Sequence, residues 1–145
     1  MSRIKLEMPA RFSFTCSISV RITDINYGNH AGNDAILGMV HEARMQYLSS
    51  LGFTELQFAG HGMIMADAGI EFKAEAFYGE TLQVLVQPAN PARIGFDLYY
   101  RLEKIINGQS VTVALAKTGM ICYDYTAKKI IPLADEARKA LFPEG

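Results

Sequence analysis

The sequence predicts an α+β domain in which an antiparallel β-sheet wraps around one long central α-helix. Three observations support this fold class: a strand-like alternation in residues 12–22, a helical pattern over residues 34–51, and four further strand-like stretches after the helix. A helix and a sheet each have one apolar side to bury, so this order of elements favours a sheet packed against the helix.

The most regular strand pattern covers residues 12–22. The apolar side chains there alternate with small polar ones and one arginine, and they are Phe12, Phe14, Cys16, Ile18, Val20 and Ile22. A period of two is typical of a strand with one buried face. We therefore expect this strand to lie against the core with its even-numbered side chains.

The central helix is predicted over residues 34–51. Its apolar side chains recur at helical spacing, at Ile36, Val40, Ala43, Tyr47 and Leu51. Asn33 is a favourable N-cap, Asp34 complements the positive end of the helix dipole, and Gly52 provides a C-terminal stop. The loop before the helix, residues 24–33, is rich in Asn and Gly and interrupts the strand pattern.

The second half of the chain predicts a meander of strands. We expect strands over residues 63–76, 81–87, 94–106 and 111–125, followed by a short helix over 135–141. Turns are indicated by Gly79-Glu80, Asn90-Pro91 and Asn107-Gly108. The Asn-Gly pair is a strong signal for a two-residue hairpin, which requires antiparallel neighbours.

The composition argues against several classes of function. The 145 residues include 14 Lys and Arg against 15 Asp and Glu, dispersed without the basic stripe that nucleic-acid binding requires. No apolar run has the length of a signal peptide core or a membrane span. Cys16 and Cys122 lie far apart in apolar stretches, which favours buried free thiols. We expect one domain over residues 1–145, in the cytoplasm, without a metal site or cofactor.

The most specific motif lies in residues 21–33, Arg21-Ile-Thr-Asp-Ile-Asn-Tyr-Gly-Asn-His-Ala-Gly-Asn33, and Glu42-Ala-Arg44 follows it in the helix. This run resembles the hotdog thioesterases of the 4-hydroxybenzoyl-CoA thioesterase type. Members of that family show Asp-x-Asp, then Gly-His-Val-Asn-Asn, then a helix with Glu-x-Ala-Arg. Shorter matches later in the chain extend the resemblance over nearly the whole sequence.

The resemblance implies a hotdog fold and an acyl thioester substrate, carried by coenzyme A or acyl carrier protein. It also implies two subunits that share one continuous sheet, as a homodimer or a dimer of dimers, with active sites at the interface. The sequence departs from the family at three positions. Asn26 replaces the usual acid, His41 replaces the helix glutamate, and Gly32 replaces the first of the paired asparagines.

Hydrolysis of a thioester needs a polarised carbonyl and an activated water. Free N–H groups at a helix N-terminus can stabilise the oxyanion, and the resemblance places the carbonyl-binding amide at Asn33. Asn26 can orient the water or the carbonyl but cannot act as a base, while His30 can transfer a proton near neutral pH. We therefore predict catalytic roles for Asn26, His30 and Asn33.

Two carboxylates are alternative bases. Asp24 shares a face with Asn26 in an extended segment, and Asp34 lies in the first helical turn. Helix geometry places Arg44 inside the apolar stripe and Glu42 outside it. A buried arginine needs a partner. We expect Asp24 to supply it, which would make Asp24 structural.

A further set of residues is predicted to contact the substrate. This set comprises residues in or beside the loop, a pair of methionines on a strand facing the helix, and a turn arginine that can meet a coenzyme A phosphate. The residues are Tyr27, Gly32, Asp34, Met63, Met65 and Arg93. The sequence thus predicts an acyl thioester hydrolase. The alternatives are a non-hydrolytic acyl-CoA or acyl-carrier binding module, motivated by Asn26, and a hotdog enoyl-thioester hydratase.

Overall fold

The fold consists of one six-stranded antiparallel sheet and one long helix, followed by a short helix. A computed structural model describes residues 1–144. Its elements are β1 (Phe14–Ser19), a 3-10 turn (Ile22–Asp24), α1 (Asn33–Ser50), β2 (Gly62–Phe72), β3 (Thr81–Ala89), β4 (Gly95–Ile106), β5 (Gln109–Asp124), β6 (Lys129–Ile130) and α2 (Asp135–Leu141). The strand order is β1-β3-β4-β5-β2, with β6 beside β5. The predicted α+β class and the antiparallel pairing are confirmed.

The core lies between α1 and the sheet. Helix α1 buries one stripe, which comprises Ile36, Met39, Val40, Ala43, Tyr47 and Leu48. Strand β3 alternates buried and half-buried residues, and its buried side chains include Leu82, Val84 and Val86. Each such side chain contributes roughly 1.5–3 kcal/mol by leaving water. The apolar stripe of the helix, with a period of 3.6 residues, therefore packs against the apolar face of the strand, with a period of two.

Two strands are shorter than the sequence predicts. Strand β1 ends at Ser19, and Ile22 is 66% exposed because the chain enters the 3-10 turn there. Strand β2 ends at Phe72, and the N–H groups of both Lys73 and Ala74 donate to the carbonyl of Val113. This shared acceptor ends the regular ladder and releases residues 73–76 toward the loop that precedes α1.

The two ends of α1 differ from each other in how their backbone groups are satisfied. At the C-terminus Gly52 has φ +84°, and the N–H groups of Gly52 and Phe53 donate to the carbonyls of Ser49 and Leu48. This is the hydrogen-bond pattern of a Schellman motif, as the position of Gly52 indicates. At the N-terminus the predicted cap is wrong: Gly32 is the N-cap, and no side chain caps the helix.

The hairpin between β4 and β5 confirms the predicted Asn-Gly turn. Asn107 and Gly108 have φ values of 52° and 78°, and Ile106 pairs with Gln109 across the turn. Two consecutive positive φ values define the type I′ turn that matches the twist of antiparallel strands.

The buried arginine of α1 has a different partner from the one predicted. Arg44 is 5% exposed, and its guanidinium donates to Glu55 Oε2 and to the Tyr100 hydroxyl, each at 3.3 Å. The Tyr100 hydroxyl also lies 2.7 Å from Thr118 Oγ1. The predicted Arg44–Asp24 pair is therefore wrong, because a carboxylate on the segment after α1 reaches Arg44 instead.

The two cysteines are free and buried, as predicted. Burial raises the pKa of the Cys122 thiol to about 11 and also raises the pKa of Cys16. Within residues 1–144, no helix combines the length and the apolar character needed to cross a membrane.

Candidate active site

The loop that precedes α1 is a tight hairpin closed by a β-bridge between Ile25 and Ala31. The N–H of Asn26 donates to the carbonyl of His30 at 2.9 Å, and the N–H of Asn29 donates to the carbonyl of Asn26 at 3.1 Å. Asn29 takes a φ of 66°, a conformation that asparagine tolerates better than most residues. The closure holds Asn26 and His30 side by side at the entrance to the helix.

The side chain of Asn26 has a defined orientation. Its Oδ1 accepts a hydrogen bond from the N–H of Gly28 at 2.9 Å, which fixes the oxygen on the loop side. Its Nδ2 group has no acceptor among residues 1–144. A Cβ added at Gly32 would lie 3.5 Å from this Nδ2, so the amide group stands directly beside the N-cap of α1. Asn26 therefore offers two N–H donors at the front of the helix.

The ring of His30 faces an acceptor at each nitrogen. Nδ1 lies 3.0 Å from the carbonyl oxygen of Ala31, and Nε2 lies 3.2 Å from Glu75 Oε2. A Cβ added at Gly28 would lie 3.2 Å from His30 Nε2 and 3.3 Å from Asn26 Oδ1, so ring and amide meet across this glycine. The missing side chain at Gly28 is what allows the two groups to approach each other.

These residues line one open cleft of about 730 Å³ at the N-terminus of α1. Of the residues predicted from the sequence, the cleft contains Asn26, Tyr27, His30, Asn33 and Asp34. Residues 72–76, from the last residue of β2 onward, also line the cleft. The N–H of Asn33 has no acceptor among residues 1–144, and the Asn33 side chain accepts from the N–H of Asp34 at 2.9 Å. The amide predicted to bind a carbonyl is thus available.

Gly32 provides space rather than an unusual backbone conformation. Its φ of −69° and ψ of 161° are accessible to any residue. A Cβ at this position would lie 2.6 Å from Asp34 Oδ1 and 3.5 Å from the Asn26 side chain. The family asparagine that Gly32 replaces would therefore crowd this helix end.

A second, apolar groove of about 380 Å³ adjoins the cleft. It shares Asn33, Asp34 and Phe72 with the cleft and adds Leu37, Ala68 and Ile70. Leu37 and Phe72 are 38% and 51% exposed, so this surface presents apolar side chains to solvent. A ligand with a polar reacting group and an apolar tail would meet suitable surfaces in this order.

Other sequence-predicted residues lie outside the cleft. Asp24 is buried, and its carboxylate accepts from the backbone N–H of Arg21 at 2.8 Å and from the Arg21 guanidinium at 3.3 Å. Met63 is buried and Met65 is 44% exposed, both near the start of β2, whereas the cleft adjoins its end. Arg93 precedes β4 and is exposed. Substrate contacts by Met63, Met65 and Arg93 remain predictions.

Sequence reasoning missed Glu75, the carboxylate that lies beside His30 in the cleft. Glu75 is separated from His30 by α1 and the whole of β2, and no local motif marks it. A backbone hydrogen bond from the Ala31 N–H to the Ala76 carbonyl, at 2.8 Å, brings the two segments together. This contact could be predicted only by someone who already knew the register of the sheet.

The topology and the site define a hotdog-type domain with a polar cleft at the front of its central helix. A family profile, the thioesterase-like superfamily, matches residues 20–141. This chain therefore belongs to the thioesterase-like superfamily, as the resemblance implied. The search of curated proteins finds no significant match.

Solved structures of thioesterases share the fold. A 1,4-dihydroxy-2-naphthoyl-CoA thioesterase from Synechocystis is similar with a TM-score of 0.78 and 24% identity, over 88% of this chain and 94% of that one. A 4-hydroxybenzoyl-CoA thioesterase, as an aspartate-to-asparagine mutant complexed with 4-hydroxybenzoyl-CoA, gives 0.80 and 12%, over 88% and 97%. A gentisyl-coenzyme A thioesterase gives 0.74 and 18%, over 88% and 98%. The hotdog fold is confirmed.

Proposed function

We propose that this protein hydrolyses acyl thioesters of coenzyme A, with the thioester carbonyl held at the N-terminus of α1. The observation that carries the proposal is the convergence of unpaired donors there. The Asn33 N–H and the Asn26 Nδ2 group both lack acceptors among residues 1–144 and both stand at the front of the helix. Donors placed in advance, together with the positive end of the helix dipole, stabilise the negative charge that develops on the carbonyl oxygen.

The surroundings of the cleft support an acyl-CoA as the ligand. The apolar groove beside the cleft accommodates an acyl group next to Leu37 and Phe72, while the polar cleft receives the thioester. His30 lies in the same cleft and assists proton transfer. The three similar structures named above carry hydroxyaryl-CoA names, so aromatic acyl groups belong among the first substrates to test.

The test is a spectrophotometric assay of free thiol release over a panel of acyl-CoA and acyl carrier protein thioesters. The panel includes short, long and hydroxyaryl acyl groups. We expect hydrolysis of at least one member, and we expect Asn26→Ala to lower kcat about 100-fold, the typical cost of one lost oxyanion donor. Release of thiol from no member of the panel would contradict the proposal.

A non-hydrolytic binding module is the second candidate, and the chemistry of Asn26 favours it. The Asn26 amide presents only N–H donors to the cleft, and it stands where the family acid stands. Replacement Asn26→Asp separates the two candidates. A large gain of hydrolysis would indicate an acyl-binding protein that lacks its acid, whereas an unchanged or lower rate supports an enzyme that works with asparagine.

A further inference from the structure

The proposed hydrolysis requires a base, and Asn26 cannot provide one. We infer that Glu75 is a catalytic residue: its carboxylate takes a proton from the attacking water, and His30 is its partner in proton transfer. This inference rests on the proposed function and adds the group that activates water. Glu75 lines the cleft at the N-terminus of α1, and its Oε2 lies 3.2 Å from His30 Nε2.

The two nitrogens of the His30 ring both face oxygen atoms. Nδ1 faces the Ala31 carbonyl and Nε2 faces the Glu75 carboxylate, and both of these oxygens are acceptors. A neutral imidazole donates through one nitrogen and accepts through the other, whereas an imidazolium donates through both. The Nε2 atom lies 3.2 Å from Glu75 Oε2, so a proton can pass between the two residues beside the proposed position of the thioester.

The other carboxylates near the helix entrance are less suitable as bases. Asp24 is buried, and Arg21 occupies both of its carboxylate oxygens. The Asp34 Oδ1 atom lies close to Gly32, next to the N–H donors that would hold the oxyanion. Glu75 lines the same cleft, and its Oε1 has no hydrogen-bond partner among residues 1–144. A water held by Oε1 would lie in the same cleft as the donors that hold the carbonyl oxygen.

The backbone around Glu75 is held in place although the side chain is 59% exposed. The Lys104 ammonium donates to the Glu75 carbonyl at 2.7 Å and to the Glu80 carboxylate at 3.0 and 3.1 Å. The Ala31 N–H donates to the Ala76 carbonyl at 2.8 Å. Surface ion pairs on long side chains lose much of their value to side-chain entropy. The anchored backbone fixes the point from which the Glu75 side chain extends, within reach of His30.

The chemical step balances with these groups. Water loses a proton to the Glu75 carboxylate while its oxygen forms a bond to the carbonyl carbon, and the carbonyl electron pair moves onto the oxygen held by Asn33 and Asn26. The C=O bond then re-forms and the C–S bond breaks. The thiolate takes the Nε2 proton from the His30 imidazolium, and the protonated Glu75 returns a proton to His30. The products are a carboxylic acid and free coenzyme A.

The experiment compares Glu75→Gln and Glu75→Asp with wild type on the best substrate of the acyl-CoA panel. We expect Glu75→Gln to lower kcat by about 100- to 10,000-fold, the range for loss of a general base, with KM changed less than about threefold. Glu75→Asp keeps a carboxylate and should recover part of this loss. Glu71→Gln is the matched control, because Glu71 accepts from the Leu6 N–H and pairs with Lys73 rather than with His30.

The outcomes separate this inference from the proposed function. A Glu75→Gln variant that melts like wild type and retains kcat within about threefold would overturn the role of Glu75 alone. An equal loss in Glu71→Gln would also overturn it, since the effect would then follow charge and not position. A wild type that hydrolyses no thioester would overturn the proposed function and this inference with it.

Discussion

Two side-chain pairs lie along helix α1, one before its N-terminus and one in its second half, and they differ in their access to water. At the N-terminal end the His30–Glu75 pair has side-chain exposures of 31% and 59% and borders an open cleft. Further along, the Arg44–Glu55 pair has exposures of 6% and 22%, and Tyr100 and Thr118 extend its hydrogen-bond network.

The backbone shows the same contrast as the side chains. The C-terminal end of α1 satisfies its carbonyls through Gly52 and Phe53, whereas the N-terminal end leaves the Asn33 N–H without an acceptor among residues 1–144. An unsatisfied helix end costs stability but provides a ready site for negative charge. The comparison teaches that satisfied polar groups on this helix stabilise the fold and that unsatisfied ones prepare a ligand site.

The largest expected effect concerns the exposed pair. Replacement His30→Gln preserves hydrogen-bonding capacity but removes proton transfer, so we expect kcat to fall about 100- to 10,000-fold with little change in melting temperature. Steady-state kinetics and a thermal melt measure both quantities. His41→Gln is the control, because His41 lies on α1, is 57% exposed and contacts Glu55 outside the cleft. Equal activity of His30→Gln and wild type would contradict the role of His30 in proton transfer.

The buried pair should show the opposite behaviour. Arg44→Met removes one member of a largely buried pair, so we expect the free energy of unfolding to drop by about 3 kcal/mol while the rate per folded molecule is kept. Urea denaturation measures the loss. Arg11→Met serves as control, since the Arg11–Glu144 pair is 78% and 81% exposed and its loss should cost under about 0.5 kcal/mol. Similar losses of unfolding free energy in Arg44→Met and Arg11→Met would show that burial does not distinguish the two pairs.

A smaller effect is expected from closing the space at the N-cap. A Cβ in Gly32→Ala would displace the Asp34 carboxylate and crowd Asn26, so kcat/KM should fall about tenfold, equal to 1.4 kcal/mol of transition-state binding. Stability should change by less, because the Gly32 backbone conformation suits alanine. In Gly38→Ala, by contrast, the added Cβ meets nothing within 4 Å, and the helix should gain about 1 kcal/mol with unchanged activity.

The smallest effect concerns the pH dependence of stability through Cys122. Burial raises the pKa of this thiol from the ordinary value of 9.0 to about 11 in the folded protein. Between these values the unfolded chain loses the proton while the folded chain keeps it, so stability falls as pH rises above about 9. Denaturation at pH 8 and pH 10 should show a smaller decrease for Cys122→Ala than for wild type. An equal decrease would show that Cys122 does not contribute.

Site residues that lie close together along the chain could be predicted from the sequence, whereas distant ones could not. Asn26, His30 and Asn33 lie within eight residues of each other, so a motif and the start of a helix were enough to place them together. The pairing of Arg44 was predicted wrongly because several carboxylates could reach it, and sequence alone does not rank them. Glu75 and the groove residue Phe72 depend on where β2 ends against β5, which no local pattern encodes.

The sequence by itself determined the α+β class, the span of α1, the I′ hairpin and the loop with its Asn and His. These features depend on side-chain periodicity and on local backbone preferences, both of which act within a few residues. Only the tertiary structure decided which carboxylate faces His30, which partner neutralises Arg44 and which apolar surface adjoins the cleft. Those contacts depend on strand register and on competition among distant groups for burial, and both are properties of the folded chain as a whole.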